Sequence, residues 1–444
     1  MWRNLGIVAA LFLALGAFVY FYEIRGEKKR EEASEKEKKV FQFEQKDIAS
    51  LTIKTGNEEF ALQKDKDAWK LTKPIETKAD KSAVDSIAID LASAKIDRNI
   101  DEQSIDWKKY GLDPPTVKLS AKLNDGKSYG IELGEKDFTD FSVFARIPGQ
   151  NKVLVLPSSL LTSANKKLFD LRDKTVIEFQ RDQIKEMTIE VKGKEYSFEK
   201  NGEDWMIKKP FQSRGDRSEI GSIVSDLEFA KVEEFVRSPE ASLRMYGLQK
   251  PEIRVNLLLG DNRARKTLLV GKKVDSFYYA KDESRTPVFK IKEDLYKKLS
   301  LDPQKVRDKK LIRFERGDIS QIDVKFQDKA FSFSKGSDEK WKIIKPEGHK
   351  DKPIIEYKIF WPVEDLEAKE LIDNANLRDP HYGFNQPSAE IKLVDKNKKI
   401  TEVVLGKLDK DKVYAKTNNE RTLYKVDKKV LDDLNFKIDE LLEK

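Results

Sequence analysis

One hexapeptide pattern recurs at a fixed interval in this chain of 444 residues, and it constrains the fold more than any other feature. It reads WKLTKP at residues 69–74, WMIKKP at 205–210 and WKIIKP at 341–346, so both steps are 136 residues. A second landmark, Tyr-Gly followed by Leu or Phe, keeps the same step at residues 110–112, 246–248 and 382–384. Repeats of this length are domain-sized, unlike the roughly 20–50 residues of solenoid repeats. The pattern predicts one domain in three copies.

Length and charge agree with several soluble domains. At roughly 100–200 residues per domain, 444 residues predict about three. The 86 Lys and Arg residues are balanced by 79 Asp and Glu residues, and the two signs are interspersed. Nucleic-acid binding normally needs a clustered basic face, so we do not expect a nucleic-acid partner. The absence of Cys excludes disulfides and thiolate metal sites.

The N-terminus carries a candidate membrane segment. Residues 5–22 (LGIVAALFLALGAFVYFY) are uncharged and mostly apolar, close to the roughly 20 residues that a helix needs to cross a bilayer. A cleaved signal peptide is the alternative, but bulky residues follow the apolar core where a small-x-small cleavage pattern would be expected. We therefore predict an uncleaved transmembrane helix over residues 5–22. Residues 23–39 are almost wholly charged and predict a stalk.

Two features of the sequence predict opposite membrane orientations. The basic residues after the apolar segment, Arg25, Lys28, Lys29 and Arg30, favour a cytoplasmic location for the large C-terminal part. The signal-anchor character of the segment favours the opposite face.

The remaining chain divides into repeat domain 1 at residues 40–176, repeat domain 2 at 177–311 and repeat domain 3 at 312–444. Short runs of alternating apolar and polar residues predict strands, and the Pro after each Trp-containing run ends its strand, because Pro cannot donate to a ladder. Each domain is predicted to have the order β-β-β-α-β-β-β-β-α. The fold class is therefore α+β, with a mostly antiparallel sheet and two helices in each of three tandem domains.

Helix predictions rest on apolar spacing. In the first two copies one apolar face is formed by Val84, Ile87 and Leu91 and by their counterparts Ile220, Ile223 and Leu227. In the third copy Pro362 predicts a shortened or kinked helix, because Pro removes a helical hydrogen bond. A closing helix is predicted at residues 159–168, 293–299 and 428–442.

The repeated aromatic residues have two interpretations. Trp69, Trp205 and Trp341 would suit a stacking platform for a ligand, but their position on half-buried strands favours core anchors. The Tyr-Gly pairs are typical of turns, because Gly permits a positive φ.

Other motifs do not assemble into a catalytic or metal centre. The two His residues, His349 and His381, lack ligand spacing around them, and we expect them on the surface or in turns. Residues 126–128 (GKS) end like a phosphate-binding loop, but the segment reads as a hairpin. Ser163 and Lys166 match Ser-x-x-Lys without any partner motif. We predict no catalytic, cofactor-binding or metal-binding residues, and a protein that is not an enzyme.

The ordered set of Trp-x-[Leu/Ile]-x-Lys-Pro and Tyr-Gly-[Leu/Phe] landmarks after an N-terminal apolar segment resembles the bacterial domain-of-unknown-function family 4340. The resemblance covers most of residues 40–444. It implies membrane-anchored proteins, often encoded beside components of ABC-type transport systems associated with gliding motility, and it implies no catalytic residues. It also favours the extracytoplasmic face for the large C-terminal part. We adopt this orientation although the basic residues after the apolar segment favour the cytoplasm.

The leading hypothesis is a non-enzymatic accessory or scaffold protein of a membrane complex, an ABC-type transport system. It would sit in the bacterial inner membrane as a single-pass protein with transport components as partners. One alternative is an envelope module that binds a polymer or peptide through sheet edges or aromatic grooves. A second alternative is an uncharacterised enzyme, which would require a pocket with perturbed carboxylates in at least one copy.

Overall fold

The computed structural model describes residues 37–236, 242–364, 366–418 and 422–443. The predicted transmembrane segment at residues 5–22 lies outside these ranges, and so does most of the predicted stalk at 23–39. Among the described residues, no helix has both the length and the apolar character needed to cross a membrane. The anchor and the stalk stay predictions.

The chain forms two compact units. The first unit runs through the first repeat to Phe179 and adds Asp226–Arg254 and Lys266–Lys297. The second unit combines Gln180–Ser225, Val255–Arg265 and the chain from Lys298 onward. Residues of the second repeat therefore belong to both units. The domain boundaries at 176/177 and 311/312 stay a prediction.

Three sheets form in the described part of the chain, and few helices accompany them. The first repeat contains, in chain order, β1 (Ile48–Thr55), β2 (Glu58–Asp65), β3 (Ala68–Lys73), β4 (Thr77–Lys78), α1 (Lys81–Ser93), β5 (Arg98–Ile100), β6 (Val117–Leu123), β7 (Ser128–Lys136), β8 (Ser142–Arg146), β9 (Val153–Pro157), α2 (Ser159–Ala164) and α3 (Leu168–Leu171). Its strand order is β4-β3-β2-β1-β6-β7-β8-β9-β5. All neighbouring pairs are antiparallel.

The second repeat follows the same succession except that one closing helix takes the place of two. Its elements are β10 (Ile184–Val191), β11 (Lys194–Asn201), β12 (Asp204–Lys209), β13 (Ser213–Arg214), α4 (Arg217–Phe229), β14 (Glu234–Phe235), β15 (Ile253–Leu259), β16 (Ala264–Val274), β17 (Phe277–Asp282), β18 (Phe289–Lys292) and α5 (Glu293–Leu299). In the second unit β10 pairs with β11, β11 with β12 and β12 with β13. In the first unit β16 pairs with β17, β17 with β18 and β18 with β14.

The third repeat contains β19 (Ile319–Phe326), β20 (Lys329–Lys335), β21 (Trp341–Lys345), α6 (Glu356–Glu364), β22 (Ala368–Ile372), β23 (Ala389–Asp395), β24 (Ile400–Asp409), β25 (Lys412–Thr417), β26 (Leu423–Asp427), α7 (Lys429–Leu434) and α8 (Ile438–Leu441). Its strand order, β21-β20-β19-β23-β24-β25-β26-β22, matches that of the first repeat except at the β21 edge. The register also matches, because Leu51 pairs with Leu62 and Ala121 as Ile322 pairs with Phe333 and Leu393.

The main cores of the first and third repeats lie on the sheet face that the long helix covers. In the first repeat the predicted apolar face of α1, Val84, Ile87 and Leu91, is buried in one cluster with the inward residues of β6. Strand β6 alternates between buried and exposed side chains along its whole length, as predicted. Each fully buried aliphatic side chain contributes about 1.5–3 kcal/mol. The amphipathic pattern of the sequence therefore determines which face of the sheet is covered.

Two predictions about the closing helices are wrong in detail. The first helix ends at Ala164 and a second begins at Leu168, where one helix over residues 159–168 was predicted. The third-repeat prediction at 428–442 likewise splits into α7 and α8. In both places an Asn follows the first helix, and its ψ, 71° at Asn165 and 67° at Asn435, departs from helical values. Asn competes for backbone hydrogen bonds and favours such helix ends.

The predicted shortening of the third-repeat helix is confirmed. Helix α6 has 9 residues with Pro362 inside it, whereas α1 and α4 have 13 each. The predicted strand order omits short strands such as β4 and β5, which have two and three residues. Strands this short carry no alternation that a sequence pattern can reveal, and only their pairing with neighbours defines them.

Candidate interaction surfaces

The Trp residues of the hexapeptide are core anchors, as predicted. Trp69, Trp205 and Trp341 are only 2%, 5% and 2% exposed. The indole Nε1 of Trp69 donates to Asp85 Oδ1 of α1 at 2.8 Å, whereas the Nε1 of Trp341 is buried without a hydrogen-bond partner. The Trp341 ring instead packs edge-to-face against Phe360 of α6 at 5.2 Å. Because all three rings are buried, they cannot serve as an open stacking platform.

The Tyr-Gly landmark is a turn, as predicted, and a second glycine explains why it recurs. Gly111 has φ 63°, Gly247 has φ 71° and Gly383 has φ 74°, which is the left-handed region. Each turn packs against the glycine of the Leu-Gly or Val-Gly pair in the neighbouring strand. In the first repeat that partner is Gly134, where an added Cβ would lie 2.1 Å from the Tyr110 carbonyl oxygen. The two backbones approach too closely for any side chain between them.

The Tyr of each landmark pairs with an aromatic residue of the strand beside it. The ring centroids are 5.0 Å apart for Tyr110 and Phe144, 4.8 Å for Tyr246 and Tyr279, and 4.9 Å for Tyr382 and Tyr414. In the first repeat, Leu112 and Val153 join this pair in a small cluster separate from the main core. These repeated aromatic contacts pack the turn segment against the sheet.

A polar network surrounds this pair in the third repeat. The Tyr414 hydroxyl donates to Asp409 Oδ2 at 3.2 Å, and Lys425 Nζ donates to the same oxygen at 2.8 Å. The hydrogen bond from Lys425 lowers the pKa of Asp409, whereas burial raises the pKa of Tyr414. His381 Nε2 lies 3.5 Å from the Tyr414 hydroxyl. The carboxylate of this network is thus paired with an ammonium group.

The other motifs also have structural roles. His349 lies in a short 3-10 turn with Nε2 3.5 Å from Asp439 Oδ1. Residues 126–128 lie at the turn between β6 and β7, which is the predicted hairpin. The Ser163 hydroxyl is buried and donates to the Leu160 carbonyl at 3.2 Å within α2. Among the described residues, no group of three or more His, Cys, Asp or Glu side chains is placed to hold a metal ion.

The junction after the first repeat is tightly held within the first unit. The Arg172 guanidinium lies 3.5 Å from the centroid of the Phe235 ring. Lys174 forms an ion pair with Asp80 at 2.9 Å, and Arg285 donates to the carbonyls of Thr175 and Val176. Burial acts to raise the pKa of Asp80, yet the hydrogen bonds from Lys174 and from the Ala83 amide lower it overall. The linking segment is therefore packed and hydrogen-bonded.

The junction after the second repeat uses the same linking sequence within the second unit. Arg307 is 1% exposed, and it donates to both carboxylate oxygens of Asp373 at 2.8 and 3.0 Å. Arg214 donates to the carbonyls of Lys310 and Leu311, which correspond to Thr175 and Val176. An Arg from elsewhere in the chain therefore satisfies equivalent linker carbonyls at both junctions.

Exposed aromatic residues differ from copy to copy. The turn between β7 and β8 presents Phe138, which is 99% exposed, and Phe141, which is 82% exposed. Helix α6 presents Tyr357 and Trp361, which are 57% and 46% exposed and one turn apart. Lys429 Nζ lies 4.4 Å from the Trp361 ring centroid. Exposed aromatic side chains of this size are typical of interaction sites.

Sequence reasoning missed both the junction arginines and the exposed Phe pair. The Arg-Asp-Lys sequence at residues 172–174 and 307–309 recurs at a step of 135 residues and predicts short links between the repeats, but it does not reveal which groups the junction Arg side chains contact. A usable signal for the exposed Phe pair was the spacing from the strand glycine to the aromatic residue that packs against the landmark Tyr. It is ten residues from Gly134 to Phe144 but eight from Gly271 to Tyr279, which locates an insertion.

Comparisons with known proteins place the chain in one family. A family model described as a domain of unknown function (DUF4340) matches three overlapping segments, residues 69–251, 205–358 and 356–444. No curated protein matches the chain. Among solved structures, a Ca²⁺-stabilised adhesin with which an Antarctic bacterium binds ice is 6% identical over 87% of this chain and 83% of that chain. Its TM-score of 0.09 is too low to support any argument about fold or function.

Proposed function

The chain belongs to the DUF4340 family of domains of unknown function, and we propose that it is a non-enzymatic scaffold of a membrane complex. In this proposal residues 5–22 anchor the chain in the bacterial inner membrane, and the repeats lie on the extracytoplasmic face. The partners are membrane proteins, namely the components of an ABC-type transport system.

One observation carries the proposal. The residues that all three copies share, such as Trp69 and Gly134 with their counterparts, are used for the core and for close backbone contacts. The large exposed aromatic residues are specific to single copies, as with Phe138 in the first repeat and Trp361 in the third. A protein with one repeated ligand site would show the opposite distribution. A shared fold that presents a different surface in each copy suits a scaffold that binds several partners.

Co-purification from native membranes tests this function. The full-length chain would be solubilised in detergent, captured through a C-terminal tag, and its retained membrane proteins quantified by mass spectrometry. Residues 1–39 fused to the same tag provide the matched control, because they retain the predicted anchor and stalk without the repeats. We expect transport components to be enriched with the full chain alone. Equal recovery by both proteins would contradict a scaffolding role for the repeats.

A second function has one specific observation in its favour. Tyr357 and Trp361 form an exposed pair one helical turn apart, and such a pair can stack on a sugar ring or a peptide. In this reading the third repeat binds an envelope polymer. Titration of the full chain with soluble cell-wall fragments, followed by Trp fluorescence, would show a saturable change that the Trp361→Ala variant lacks. No saturable change would exclude this second function for the fragments used.

A further inference from the structure

The turn between β7 and β8 is longer than its two counterparts. Residues 137–142 separate the paired residues Lys136 and Val143, whereas residues 274–277 and 409–412 separate the equivalent pairs in the other repeats. The two additional residues allow the first repeat to display Phe138 at 99% exposure and Phe141 at 82% exposure. We call residues 135–141 the aromatic tip.

Hydrogen bonds hold the backbone of the aromatic tip in place. Asp137 Oδ1 accepts hydrogen bonds from the Thr139 amide at 3.2 Å, the Thr139 hydroxyl at 2.7 Å and the Ser142 amide at 3.3 Å. The Ser158 amide donates to the Phe141 carbonyl at 2.8 Å, and the Ser158 hydroxyl donates to the Asp140 carbonyl at the same distance. Both Phe side chains are thus displayed by an ordered turn, which lowers the entropy that binding would cost.

The charges on the aromatic tip select among possible partners. Glu135, Asp137 and Asp140 outnumber Lys136, so the tip carries a net charge of −2. The hydrogen bond from the Thr139 hydroxyl lowers the pKa of Asp137, which keeps that carboxylate ionised. An anionic lipid surface would repel this charge, and so would the same tip of a second copy. An apolar pocket with a basic rim would attract it.

The aromatic tip lies at the ends of β7 and β8, which are interior strands of the first sheet. The Ile96 amide donates to the Lys38 carbonyl at 2.7 Å, and the Asp97 amide donates to the Val155 carbonyl at 3.0 Å. Ser158, which donates two hydrogen bonds to the tip, follows β9 directly. The tip and Lys38 therefore lie at the same end of these strands.

We propose that Phe138 and Phe141 insert as a pair into an apolar pocket with a basic rim on a partner protein of the membrane complex. This inference rests on the proposed scaffold function and names the surface that carries it. The pocket holds both rings, and its Lys or Arg side chains face Asp137 and Asp140. The shorter turns of the other repeats present no such pair and do not bind there.

Site-specific photo-crosslinking in native membranes tests the pairing. A benzophenone amino acid would replace Phe138 in the full chain, and in control chains it would replace Ser276 or Asp411 at the equivalent turns. We expect one membrane-protein adduct from position 138 alone, with the crosslinked peptide mapped by mass spectrometry to an apolar segment flanked by Lys or Arg. Adducts with lipid, adducts with a second copy, or equal labelling from the three positions would overturn the proposal.

The affinity of the chain for this partner tests the proposal quantitatively. Once the adduct identifies the partner, the F138A/F141A variant should bind it about a hundredfold more weakly, since each aromatic anchor contributes about tenfold. The I400S/L408S variant, which removes exposed apolar side chains of the third repeat, should bind like the wild type. Charge inversion by Asp140→Lys should also weaken binding. If F138A/F141A binds with unchanged affinity while the wild type still recovers membrane partners, the insertion of the aromatic tip is refuted but the scaffold function is not. If the wild type recovers no membrane partner, both proposals are refuted.

Discussion

The carbonyl oxygen of Tyr110 occupies the space where Gly134 would carry a side chain, with only 2.1 Å between that oxygen and an added Cβ. The same relationship joins Tyr246 to Gly271 and Tyr382 to Gly406, at 2.1 and 2.0 Å. Two landmarks that are about 24 residues apart in each copy are therefore one structural device. The turn and the strand are held at backbone contact, and this explains why both glycines recur.

Substitution of Gly134 by Ala should destabilise the first repeat by about 2–3 kcal/mol, because the Cβ would meet backbone that cannot move aside without breaking the turn. The matched control is Gly130→Ala on the same strand, where the nearest atom would be 3.6 Å away. Hydrogen exchange of peptides from β6 and β7 measures the effect within one repeat. Equal protection in the two variants would contradict the role assigned to the close contact.

Removal of the Asp85 carboxylate should destabilise α1 and β3 together, since the buried Trp69 Nε1 would lose its acceptor. The expected cost of Asp85→Ala is about 1–3 kcal/mol, the penalty for an unsatisfied buried donor. Asp85→Asn keeps an oxygen at this position and should recover most of the loss, and Asp90→Ala on the same helix provides a further control. Local hydrogen exchange of residues 68–93 distinguishes these cases. An Asn variant as unstable as the Ala variant would show that the hydrogen bond is not the cause.

Loss of Arg214 should open the junction after the second repeat. Arg214→Ala would leave the Lys310 and Leu311 carbonyls without this donor. Asp308, which is 5% exposed, would lose its ion pair with Arg214 and keep the one with Arg313. We expect faster limited proteolysis and faster hydrogen exchange over residues 306–312. Arg217→Ala removes a solvent-exposed ion pair with Asp204 and should have little effect. Equal rates in both variants would argue that the linker is held by other contacts.

The ion pair between Asp80 and Lys174 should make the first junction sensitive to acid. The folded-state pKa of Asp80 lies below its ordinary value of 3.8, so the pair stabilises the folded chain fully above that pH. This stabilisation is lost as the pH falls through the lowered pKa. Asp80→Asn preserves an acceptor for the Ala83 amide but removes the charge. The difference in unfolding midpoint between wild type and variant should be present at pH 6 and should shrink as the pH is lowered below 3.8. A difference that does not shrink there would contradict the assignment.

Much of the fold follows from local patterns in the sequence. The alternation of Val117, Leu119, Ala121 and Leu123 predicts a half-buried strand, and β6 buries those four side chains. The positive φ at Gly111 was likewise predictable, because few other residues adopt that conformation. A strand as short as β5 carries no alternation of its own, and only its pairing with β9, far along the chain, defines it. The helix breaks at Asn165 and Asn435 did have a local signal, because Asn favours helix ends.

The interaction surfaces were harder to predict. Burial of Trp69 could be inferred from its strand, but the exposure of Phe138 could not, because an aromatic residue between strands is ordinarily covered by something. The junction arginines present a similar difficulty. Arg285 reaches carbonyls about 110 residues earlier in the chain, and only the folded structure brings them together.

In the proposed function the three repeats share one fold but present different interaction surfaces. The most direct test compares the membrane proteins retained by the wild-type full chain, by F138A/F141A and by Y357A/W361A, quantified from the same native membranes. We expect F138A/F141A to lose a partner that Y357A/W361A retains, while circular dichroism shows that both variants are folded. Retention of the same partners by all three proteins, or an equal loss in both variants, would contradict it.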